Sequence, residues 1–551
     1  MGERGSKRWW LCGFAAAVLV GLSPAWAAQG RTFYVAGAGQ DANAGFSSGS
    51  AWRSIARVNQ EVLRPGDTVL FEGGRVFSGT VRLAHGEGGT PLAPITFGSY
   101  GTGPALISAG TGGGFDFTDV AGLRVRDLAV IGAGVEANQG IGISFFTDLP
   151  GGVKLPWIRI ERTRVTGFRR GGLSIGSYNG TSGFQDVRVE SCRFEKNGNN
   201  GMAVWGAFDP RAEQTPESYA HRSIYVGHCL FASNWGDPAR PRHTGSGLEI
   251  AQAMGVLVER NIARDNGRLN RSSEGGPVGI WLWDVRNGIV QFNESHHNAS
   301  GTLDGGGFDL DGGCVDCVLQ YNYSHDNEGP GYQIAQFPGA RPMRGALVRY
   351  NVSERDGGRA DAPALNLWNG DAASPIEGAL FFNNTVYAAA KSLGAARVFR
   401  VHGVGPITGS GFANNVFFAE GVELGEVASL SVPLFAGNLY HARGAAFAIR
   451  QGGVLYAGLA AWRAGTLQEL LFGVPTGSTD DPRLVAPGQG GTIDDPDRLA
   501  SLVAYRLQAS SGVADLGLAL QVYGIPPGLY DYYGRPLPAG AGYALGANES
   551  R

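Results

Sequence analysis

The sequence predicts an all-β fold, a right-handed parallel β-helix solenoid with a small N-terminal cap and a C-terminal tail. Short apolar segments, most of which end in Asn, recur every 29 to 37 residues. A second series of strands with period-two alternation follows them in step. The composition agrees, because 89 Gly and only 17% charged residues among 551 are typical of a turn-rich β protein.

Residues 1–27 resemble a secretory signal peptide. Basic residues precede the apolar residues 9–22, and residues 25–27 offer a small-x-small cleavage site. The alternative is a membrane anchor, but the apolar stretch is short for a membrane span. We therefore expect a cleaved signal, a secreted or periplasmic protein, and no membrane attachment after cleavage.

Residues 28–110 are predicted to form the N-terminal cap and the first coils. Residues 31–35 and 68–71 have strand-like patterns, and residues 52–63 carry apolar side chains at helical spacing. A helical cap is expected here, because the open end of a coil exposes unpaired strand edges.

Residues 111–440 contain the explicit repeat, in which Asn recurs at two corners of each coil. Asn side chains stacked at such corners bond to the backbone of the next coil, where turn groups would otherwise be unpaired. We interpret both series as structural ladders. The first comprises Asn261, Asn293, Asn322, Asn351, Asn384 and Asn415, and the second comprises Asn197, Asn234, Asn266, Asn298 and Asn327.

Four cysteines follow the predicted signal, too few for a disulfide framework in so long a chain. Cys192 and Cys229 occupy the register of the first ladder one coil apart. We expect them to be buried ladder residues, with a disulfide as the alternative. Cys314 and Cys317 lack a second pair at metal-ligand spacing, so neither a metal site nor a redox motif is predicted there.

The second strand series places alternate side chains on an outward face. Phe308 and Leu310 are predicted to point into the core, whereas Asp309 and Asp311 point out. The same register gives two outward columns down the stack. The first column is Ser174, Ala203, Glu249, Trp281, Asp309, Gln333, Asn366 and Arg400, and the second is Gly176, Trp205, Ala251, Trp283, Asp311, Ala335, Trp368 and His402.

Residues 441–551 are predicted to contain terminal coils, a capping segment and a tail. The repeat fades here, residues 455–472 favour a short helix, and residues 531–550 have the composition of a tail. We expect this tail to cover the last coil, because its strand edges would otherwise be exposed.

The repeats, over roughly residues 65–440, resemble the right-handed parallel β-helix superfamily of secreted carbohydrate-active proteins, such as pectate lyases and polygalacturonases. The resemblance implies a polysaccharide or oligosaccharide partner that is bound along the outward face and cleaved by hydrolysis or β-elimination. The Asn-Thr-Asp and Arg-Ile-Lys motifs of polygalacturonases are absent from this sequence. Pectin is therefore not implied as the substrate.

The carboxylates of the outward face favour a glycoside hydrolase. Hydrolysis requires two carboxyl groups astride the glycosidic bond, one protonated and one ionised. Asp309 and Asp311 are two residues apart on one strand, ~7 Å between Cα atoms. Repulsion between like charges raises the pKa of one such carboxyl group. We predict these two residues as catalytic, assisted by Glu249 or Asp284.

Aromatic and polar residues of the same face are predicted to bind the sugar chain. Flat indole faces suit stacking on pyranose rings, and amide, guanidinium and imidazole groups suit polar contacts. The predicted substrate-binding residues are Trp281, Trp283, Trp205, Trp368, Gln333, Asn366, Arg400, His402 and His325. For His325, as for His296, the alternative is a structural hydrogen bond in a turn.

Two other function classes stay open. A polysaccharide lyase or uronate epimerase needs a base and a cation, and Arg400 lies ~14 Å from Asp309 by coil spacing. A non-catalytic surface or adhesin-like β-helix is the third hypothesis. No cofactor is required, although Ca²⁺ held by Asp304, Asp309 and Asp311 is an option. A net charge of −3 provides no basic field for nucleic acid, and we expect a monomer.

Overall fold

A computed structural model describes residues 30–359, 361–390, 397–540 and 542–549. The predicted signal peptide, residues 1–27, lies outside these ranges. Within them, no helix is both long enough and apolar enough to cross a membrane.

Strands wind into a β-solenoid of about 11 turns. Strands of successive coils pair in parallel, in one sheet of 26 strands and one of 13 strands. This arrangement confirms the predicted all-β parallel β-helix.

Each coil contributes to three strand series. The face series, which carries the outward columns, comprises Val81–Leu83, Phe115–Thr118, Ile143–Thr147, Leu173–Ser177, Asn200–Trp205, Ser246–Glu259, Val278–Gln291, Gly306–Asp311, Tyr332–Gln336, Pro363–Asn369, Arg397–Gly403, Glu423–Val427 and Ile449–Gln451. The second series belongs to the same sheet, and two face strands, Ser246–Glu259 and Val278–Gln291, continue into it. Its separate strands are Thr32–Val35, Thr68–Glu72, Ile95–Tyr100, Leu123–Arg126, Lys154–Glu161, Gly183–Glu190, His221–Gly227, Val318–Gln320, Leu347–Arg349, Leu380–Phe382, Gly411–Ala413 and Leu434–Ala436.

The third series forms the 13-stranded sheet. It comprises Val76–Ser78, Ala105–Gly110, Leu128–Gly132, Arg164–Thr166, Arg193–Glu195, Leu230–Ala232, Ile262–Arg264, Glu294–His296, Tyr323–His325, Val352–Glu354, Thr385–Ala389, Val416–Glu420 and Leu439–Arg443. The remaining strands are Met343–Arg344, Ile376–Glu377, Ile407–Thr408, Val454–Tyr456, Leu470–Leu471 and Val474–Pro475. The helices are Ile55–Val58 and Leu459–Thr466, and the 3₁₀ helices are Ser48–Ser50, Pro216–Ser218, Pro496–Ser501, Val503–Tyr505 and Leu520–Tyr523.

Alternation along the strands fills the interior of the solenoid with apolar side chains. In Gly306–Asp311, Phe308 and Leu310 are fully buried, and Phe308 stacks on Tyr332 of the next coil with 5.3 Å between ring centroids. Burial of one such side chain contributes about 1.5–3 kcal/mol. The predicted inward set is therefore confirmed, and the residues between must point outward.

Both predicted Asn ladders are present and buried. In the first, Nδ2 of Asn293 donates to Oδ1 of Asn322 at 3.0 Å. The backbone N–H of Asn293 donates to the same oxygen at 3.0 Å, so each side chain satisfies a turn group of its neighbour. The first ladder ends on the buried carboxyl group of Glu469 and the second on Asp356.

Cys192 and Cys229 lie buried in the first ladder, as predicted, and they are not bonded to each other. Sγ of Cys229 accepts the N–H of Cys192 at 3.4 Å, in the way that an Asn oxygen does on later coils. The alternative of a disulfide is therefore wrong. Cys314 and Cys317 are likewise free and buried.

The N-terminal helix is much shorter than the predicted span of residues 52–63. It covers only Ile55–Val58, and Oγ of Ser54 caps it by accepting the N–H of Arg57 at 3.2 Å. Trp52 instead forms a parallel strand bridge and is fully buried. A helix that began at Trp52 would lose this pairing.

The C-terminal tail lies along the solenoid and does not cover its end. The helix Leu459–Thr466 lies over the last coil, where its fully buried Trp462 packs on Phe435 with 5.3 Å between ring centroids. The tail, residues 480–540 and 542–549, runs back and packs on outward side chains of the third series. The expected position of the tail was therefore wrong.

Candidate active site

Strand pairing confirms the outward columns through the middle of the solenoid. Asp309 pairs with Trp281 of the preceding coil and with Gln333 of the next. Asp311 pairs with Trp283 in the second column. The register therefore brings predicted catalytic and binding residues onto adjacent coils, ~4.8 Å apart.

Loops contact this face on both sides, and the space between them is called the groove here. Loops before the face strands form one wall, where the ring of His243 lies 5.4 Å from that of Trp281. Loops after the strands form the other wall, where Phe337 lies 6.1 Å from Trp283. Asp309 is consequently only 2% exposed and Trp281 only 6%. Asp309 and Trp281 therefore point outward from the sheet, as predicted, but neighbouring residues bury them.

Three aspartates, Asp304, Asp309 and Asp311, converge in the groove and are called the aspartate cluster here. Oδ2 of Asp309 accepts an N–H of Gln333 at 2.9 Å. Its buried Oδ1 has no hydrogen-bond partner within the described ranges. Oδ1 of Asp311 accepts the N–H of Gly312 at 2.7 Å. Asp304 and Asp311 remain partly exposed, whereas Asp309 is buried.

Asp304 reaches the cluster from the loop that precedes Gly306–Asp311. Its φ of +56° lies in the left-handed region, which Asp tolerates better than most residues, and Gly305 follows at +80°. Oδ2 of Asp304 accepts the N–H of Gly276 at 2.7 Å. The strand pattern predicted Asp304 only as a calcium ligand, because alternation does not extend into this turn.

Burial raises the pKa of all three carboxyl groups, and repulsion from neighbouring carboxylates adds to the shifts of Asp309 and Asp311. Burial, with the charges of Asp304 and Glu249, raises the pKa of Asp311 to about 7. Burial and both other aspartates raise the pKa of Asp309 well above its usual range. Burial also raises the pKa of Asp304, although nearby cations and hydrogen-bond donors oppose that shift. At neutral pH the cluster therefore carries fewer than three charges.

A chain of hydrogen bonds across four coils ends on Asp309, and its other members, Gln333, Asn366 and His402, are called the relay here. Nε2 of His402 lies 3.0 Å from Oδ1 of Asn366. Nδ2 of Asn366 donates to Oε1 of Gln333 at 2.8 Å, and Gln333 donates to Asp309. Burial lowers the pKa of His402 to about 4, so its imidazole is neutral. The relay therefore holds Asp309 by its Oδ2 atom.

The tryptophans beside the cluster lean onto the preceding coil. Nε1 of Trp283 donates to Oε1 of Glu249 at 3.1 Å, and Nε1 of Trp281 donates to Oγ of Ser246 at 3.1 Å. Ala251 pairs in register with Trp283, and its small side chain leaves room for the indole. Trp283 therefore lines the groove next to the aspartate cluster.

Asp284, predicted to assist catalysis, lies in a buried ion pair instead. Its two carboxylate oxygens accept from Nε and Nη2 of Arg341, each at 2.7 Å. Burial raises the pKa of Asp284 to about 6 against the opposing guanidinium. Arg341 also donates to Ser218 at 3.1 Å and packs over the ring of Tyr219. The pair thus fastens the groove-wall loop of residues 206–220.

His325 lies on the third strand series, outside the groove. Its Nε2 is 3.2 Å from Oε1 of Glu294, and its Nδ1 is 3.0 Å from Oδ2 of Asp326. Substrate contact is therefore wrong and the structural alternative is correct. Its ring stacks on that of His296 with only 6° between the planes. Ligand atoms of His296, His297 and His325 lie within 4.8 Å of one another, although both ring nitrogens of His325 already face carboxylate oxygens of Glu294 and Asp326.

Arg400 and Trp368 lie farther along the face. Nε of Arg400 is 3.0 Å from Oε2 of Glu426, which also pairs with Arg397. The charge of Arg400 is therefore neutralised locally. The ring of Trp368 lies 6.4 Å from that of His402, at the far end of the relay.

Known proteins that resemble this chain include enzymes with the same fold, although no protein-family model matches it. A lacto-N-biosidase of Bifidobacterium longum subsp. longum is 25% identical over 457 residues, which cover 66% of this chain and 28% of that protein. This chain thus spans less than a third of that relative. A crystallised GH136 lacto-N-biosidase from Eubacterium ramulus has a TM-score of 0.52 and 20% identity, with 68% of each chain covered. A pectate lyase structure matches 95% of this chain with a TM-score of 0.37 and 14% identity. The right-handed parallel β-helix fold is confirmed.

Proposed function

We propose that the protein is a glycoside hydrolase that cleaves an oligosaccharide or polysaccharide bound in the groove. The observation that carries this proposal is the pair of partly exposed carboxyl groups, Asp304 and Asp311, with raised pKa values on a tryptophan-lined floor. Glycoside hydrolysis requires such a pair, with one group protonated and the other ionised. The lacto-N-biosidases that resemble the chain support the same reaction class.

The surroundings of the two groups suggest their roles. The charges of Asp304 and Glu249 disfavour ionisation of Asp311, and a pKa of about 7 keeps its proton available near neutrality. Asp304 is the group whose charge His243 and Arg359 favour. Asp311 therefore donates its proton to the leaving oxygen. Ionised Asp304 either attacks the anomeric carbon as the nucleophile or acts as the base that activates the attacking water.

Asp309 takes a supporting role, in contrast to its predicted catalytic one. Burial and the charges of Asp311 and Asp304 raise its pKa, which favours its neutral form. Because Gln333 donates to Oδ2, the proton of Asp309 resides on the unpartnered Oδ1. A neutral Asp309 avoids a third negative charge beside the proposed catalytic carboxyl groups of Asp304 and Asp311.

The charge of the groove disfavours a lyase or an epimerase. Both reactions on uronates use a cation to neutralise the substrate carboxylate. Arg359 and Arg400 are already paired with Glu328 and Glu426, whereas the floor carries the aspartate cluster and Glu249. A uronate at the cleavage point would meet net repulsion, so the substrate there is uncharged.

The same proposal includes export, a monomeric state and independence from a cofactor. The signal-like residues 1–27 support a secreted or periplasmic location. The aspartate cluster fits Ca²⁺ poorly, because N–H groups of Gly276, Gly312 and Gln333 already occupy one oxygen of each carboxyl group. Calcium takes about six to eight oxygen ligands.

A glycan panel tests the proposal. The protein is incubated with β-glucan, mannan, galactan, pectate, alginate and an oligosaccharide cleaved by lacto-N-biosidases, while reducing ends and the ultraviolet absorbance of unsaturated sugars are followed. We expect new reducing ends from an uncharged glycan without absorbance. Absorbance would show elimination, and the absence of both signals across the panel would favour a binding protein.

A further inference from the structure

Trp205 lies flat on the sheet three coils before the aspartate cluster. A Cβ atom added to Gly176 of the preceding coil would come within 2.2 Å of Cε2 and Cζ2 of this indole. Nε1 of Trp205 donates to Oγ of Ser174 at 2.9 Å, which fixes the orientation of the ring. One indole face therefore covers Gly176, and the other is turned away from the sheet.

Two further aromatic rings adjoin this indole. The ring of Tyr178 lies 5.0 Å from that of Trp205, and the ring of Phe146 lies 6.0 Å from that of Tyr178. Tyr178 is 70% exposed. We call these three residues the aromatic platform. Phe146 and Trp205 are half-buried. Adjacent apolar side chains that are left accessible in this way can serve as a binding site.

The platform repeats the arrangement found beside the aspartates. Trp205 and Trp283 each donate Nε1 to a first-column residue of the preceding coil, Ser174 and Glu249 respectively. Each lies above a small second-column residue, Gly176 in one case and a register-paired Ala in the other. Both indoles therefore line one continuous face, ~9.6 Å apart along the axis at two coil spacings.

We propose that the aromatic platform is a remote sugar-binding subsite for the same glycan chain that the aspartate cluster cleaves. The proposal rests on the proposed function and deepens it. The outward face of Trp205 stacks on the apolar face of an uncharged sugar ring, with Tyr178 at its edge. Trp205 lies ~14 Å from Asp311 along the axis at three coil spacings. The preferred substrate is therefore an extended chain of several sugars.

Three variants test the subsite on the full-length protein. Trp205→Ala removes the stacking surface and Tyr178→Ala removes its edge, whereas Gly176→Ala retains every aromatic ring but displaces the indole. Phe472→Ala is the matched control, because Phe472 is a 90% exposed aromatic residue in the C-terminal region. Circular dichroism and thermal unfolding first establish that each variant is folded.

The first readout is kcat/KM on disaccharides and hexasaccharides of the panel glycan that is hydrolysed. We expect all three variants to lower the hexasaccharide value, Trp205→Ala and Gly176→Ala by about tenfold, and to leave the disaccharide value unchanged. Phe472→Ala should change neither value. An equal loss for both lengths, or no loss for either, would overturn the subsite while leaving the hydrolase assignment intact.

The second readout does not depend on hydrolysis. Binding is measured by affinity electrophoresis through gels that each contain one uncharged polysaccharide of the panel. All variants carry Asp311→Asn as well, so that the polysaccharide is not cleaved. Retardation that Trp205→Ala abolishes supports the subsite even if no glycan is cleaved. If retardation persists in folded Trp205→Ala and Gly176→Ala, the subsite is overturned. The same holds if no panel polysaccharide retards the protein.

Discussion

Two groups of ionisable side chains lie on different strand series and are built in opposite ways. In the aspartate cluster like charges meet, and Oδ1 of Asp309 lacks a partner within the described ranges. In the second group opposite charges alternate. This group, the tail anchor, consists of Glu294, His325, Asp326 and Arg355.

The tail anchor holds the C-terminal tail against the third strand series. Oxygens of Glu294 accept the backbone N–H groups of Ile493 and Asp494, each at 2.7 Å. Arg355 donates to Asp326 through Nε at 2.9 Å, and through Nη1 to the carbonyl of Gly488 at 3.0 Å. Hydrogen bonds of this kind compensate the cost of burying charged groups, so removal of one partner leaves an uncompensated buried charge.

Burial raises the pKa of carboxyl groups in both places, but the net pKa shifts of Glu294 and of the aspartates have opposite directions. In the tail anchor, burial alone would raise the pKa of Glu294 and lower that of His325. Hydrogen bonds outweigh burial, so the pKa of Glu294 falls below its usual range and that of His325 rises to about 9. In the aspartate cluster, burial and repulsion add. A pKa that is shifted by burial and repulsion suits a group that exchanges protons near neutrality. A pKa that is shifted by pairing suits a group that holds a fixed contact.

The largest expected effect separates activity from stability. Asp311→Asn and Asp304→Asn should each lower kcat at least about 1,000-fold while thermal unfolding stays close to that of the parent. Glu294→Gln should do the reverse, with a loss of about 3–5 kcal/mol in the free energy of unfolding and a near-parental kcat in the folded fraction. Activity assays measure kcat, and urea unfolding measures the free energy of unfolding.

Asp116→Asn is the matched control for this comparison. Asp116 belongs to the first outward column six coils before Asp309, and it is exposed. It should change neither activity nor stability. Near-parental kcat in both Asp304→Asn and Asp311→Asn would remove the basis for the proposed site.

The second effect is a pH dependence of stability that originates in the tail anchor. His325 has a pKa of about 9 in the folded chain and about 6.5 when unfolded. Its contribution is therefore complete below about pH 6.5 and is lost as pH rises through about 9. Urea unfolding from pH 7 to 10 should show this decline in the parent.

His325→Gln should flatten that alkaline decline, because the titrating group is removed. His85→Gln is the control, since His85 is exposed near the N-terminal end. An unchanged decline in His325→Gln would assign it to another group. The lowered pKa of Glu294 acts at the other extreme, where its contribution is present above about pH 4.3 and is lost as pH falls.

The sequence predicted the parts of this comparison that follow from strand alternation. Period-two alternation and the coil repeat place Asp309 beside Trp281 and Gln333, and the pairing confirms this register. The Asn ladders were predictable for the same reason, because each corner recurs once per coil. The fold and the register of the groove floor could therefore be predicted from the local sequence pattern alone.

Contacts made by loops could not be derived in that way. Asp304 enters the groove through a left-handed turn that no alternation describes. Asp284 and Arg341 are 57 residues apart, and nothing in either local sequence indicates the other. The tail likewise reaches Glu294 from residues 199 and 200 positions away. Such long-range pairings depend on how loops fold over the coils.

The third effect is small and concerns Asp309. Because Asp309 is neutral in the proposed resting state, Asp309→Asn preserves its charge. The Asn carbonyl oxygen still accepts from Gln333. We expect a loss of no more than about tenfold in kcat, far below that of Asp311→Asn. A loss as large as that of Asp311→Asn would show that Asp309 itself transfers the proton.

The smallest expected effect is that of calcium. Because N–H groups already occupy one oxygen of each carboxyl group in the aspartate cluster, only the second oxygen of each group is left for calcium, and water would have to supply the rest of the roughly six to eight ligands that it usually takes. Dialysis against a chelator should therefore leave both the rate and the melting temperature unchanged, and added Ca²⁺ should restore nothing. A calcium-dependent rise in melting temperature that Asp304→Asn abolishes would instead place the ion in the cluster. Its positive charge would then lower the carboxyl pKa values and remove the proton that Asp311 is proposed to donate.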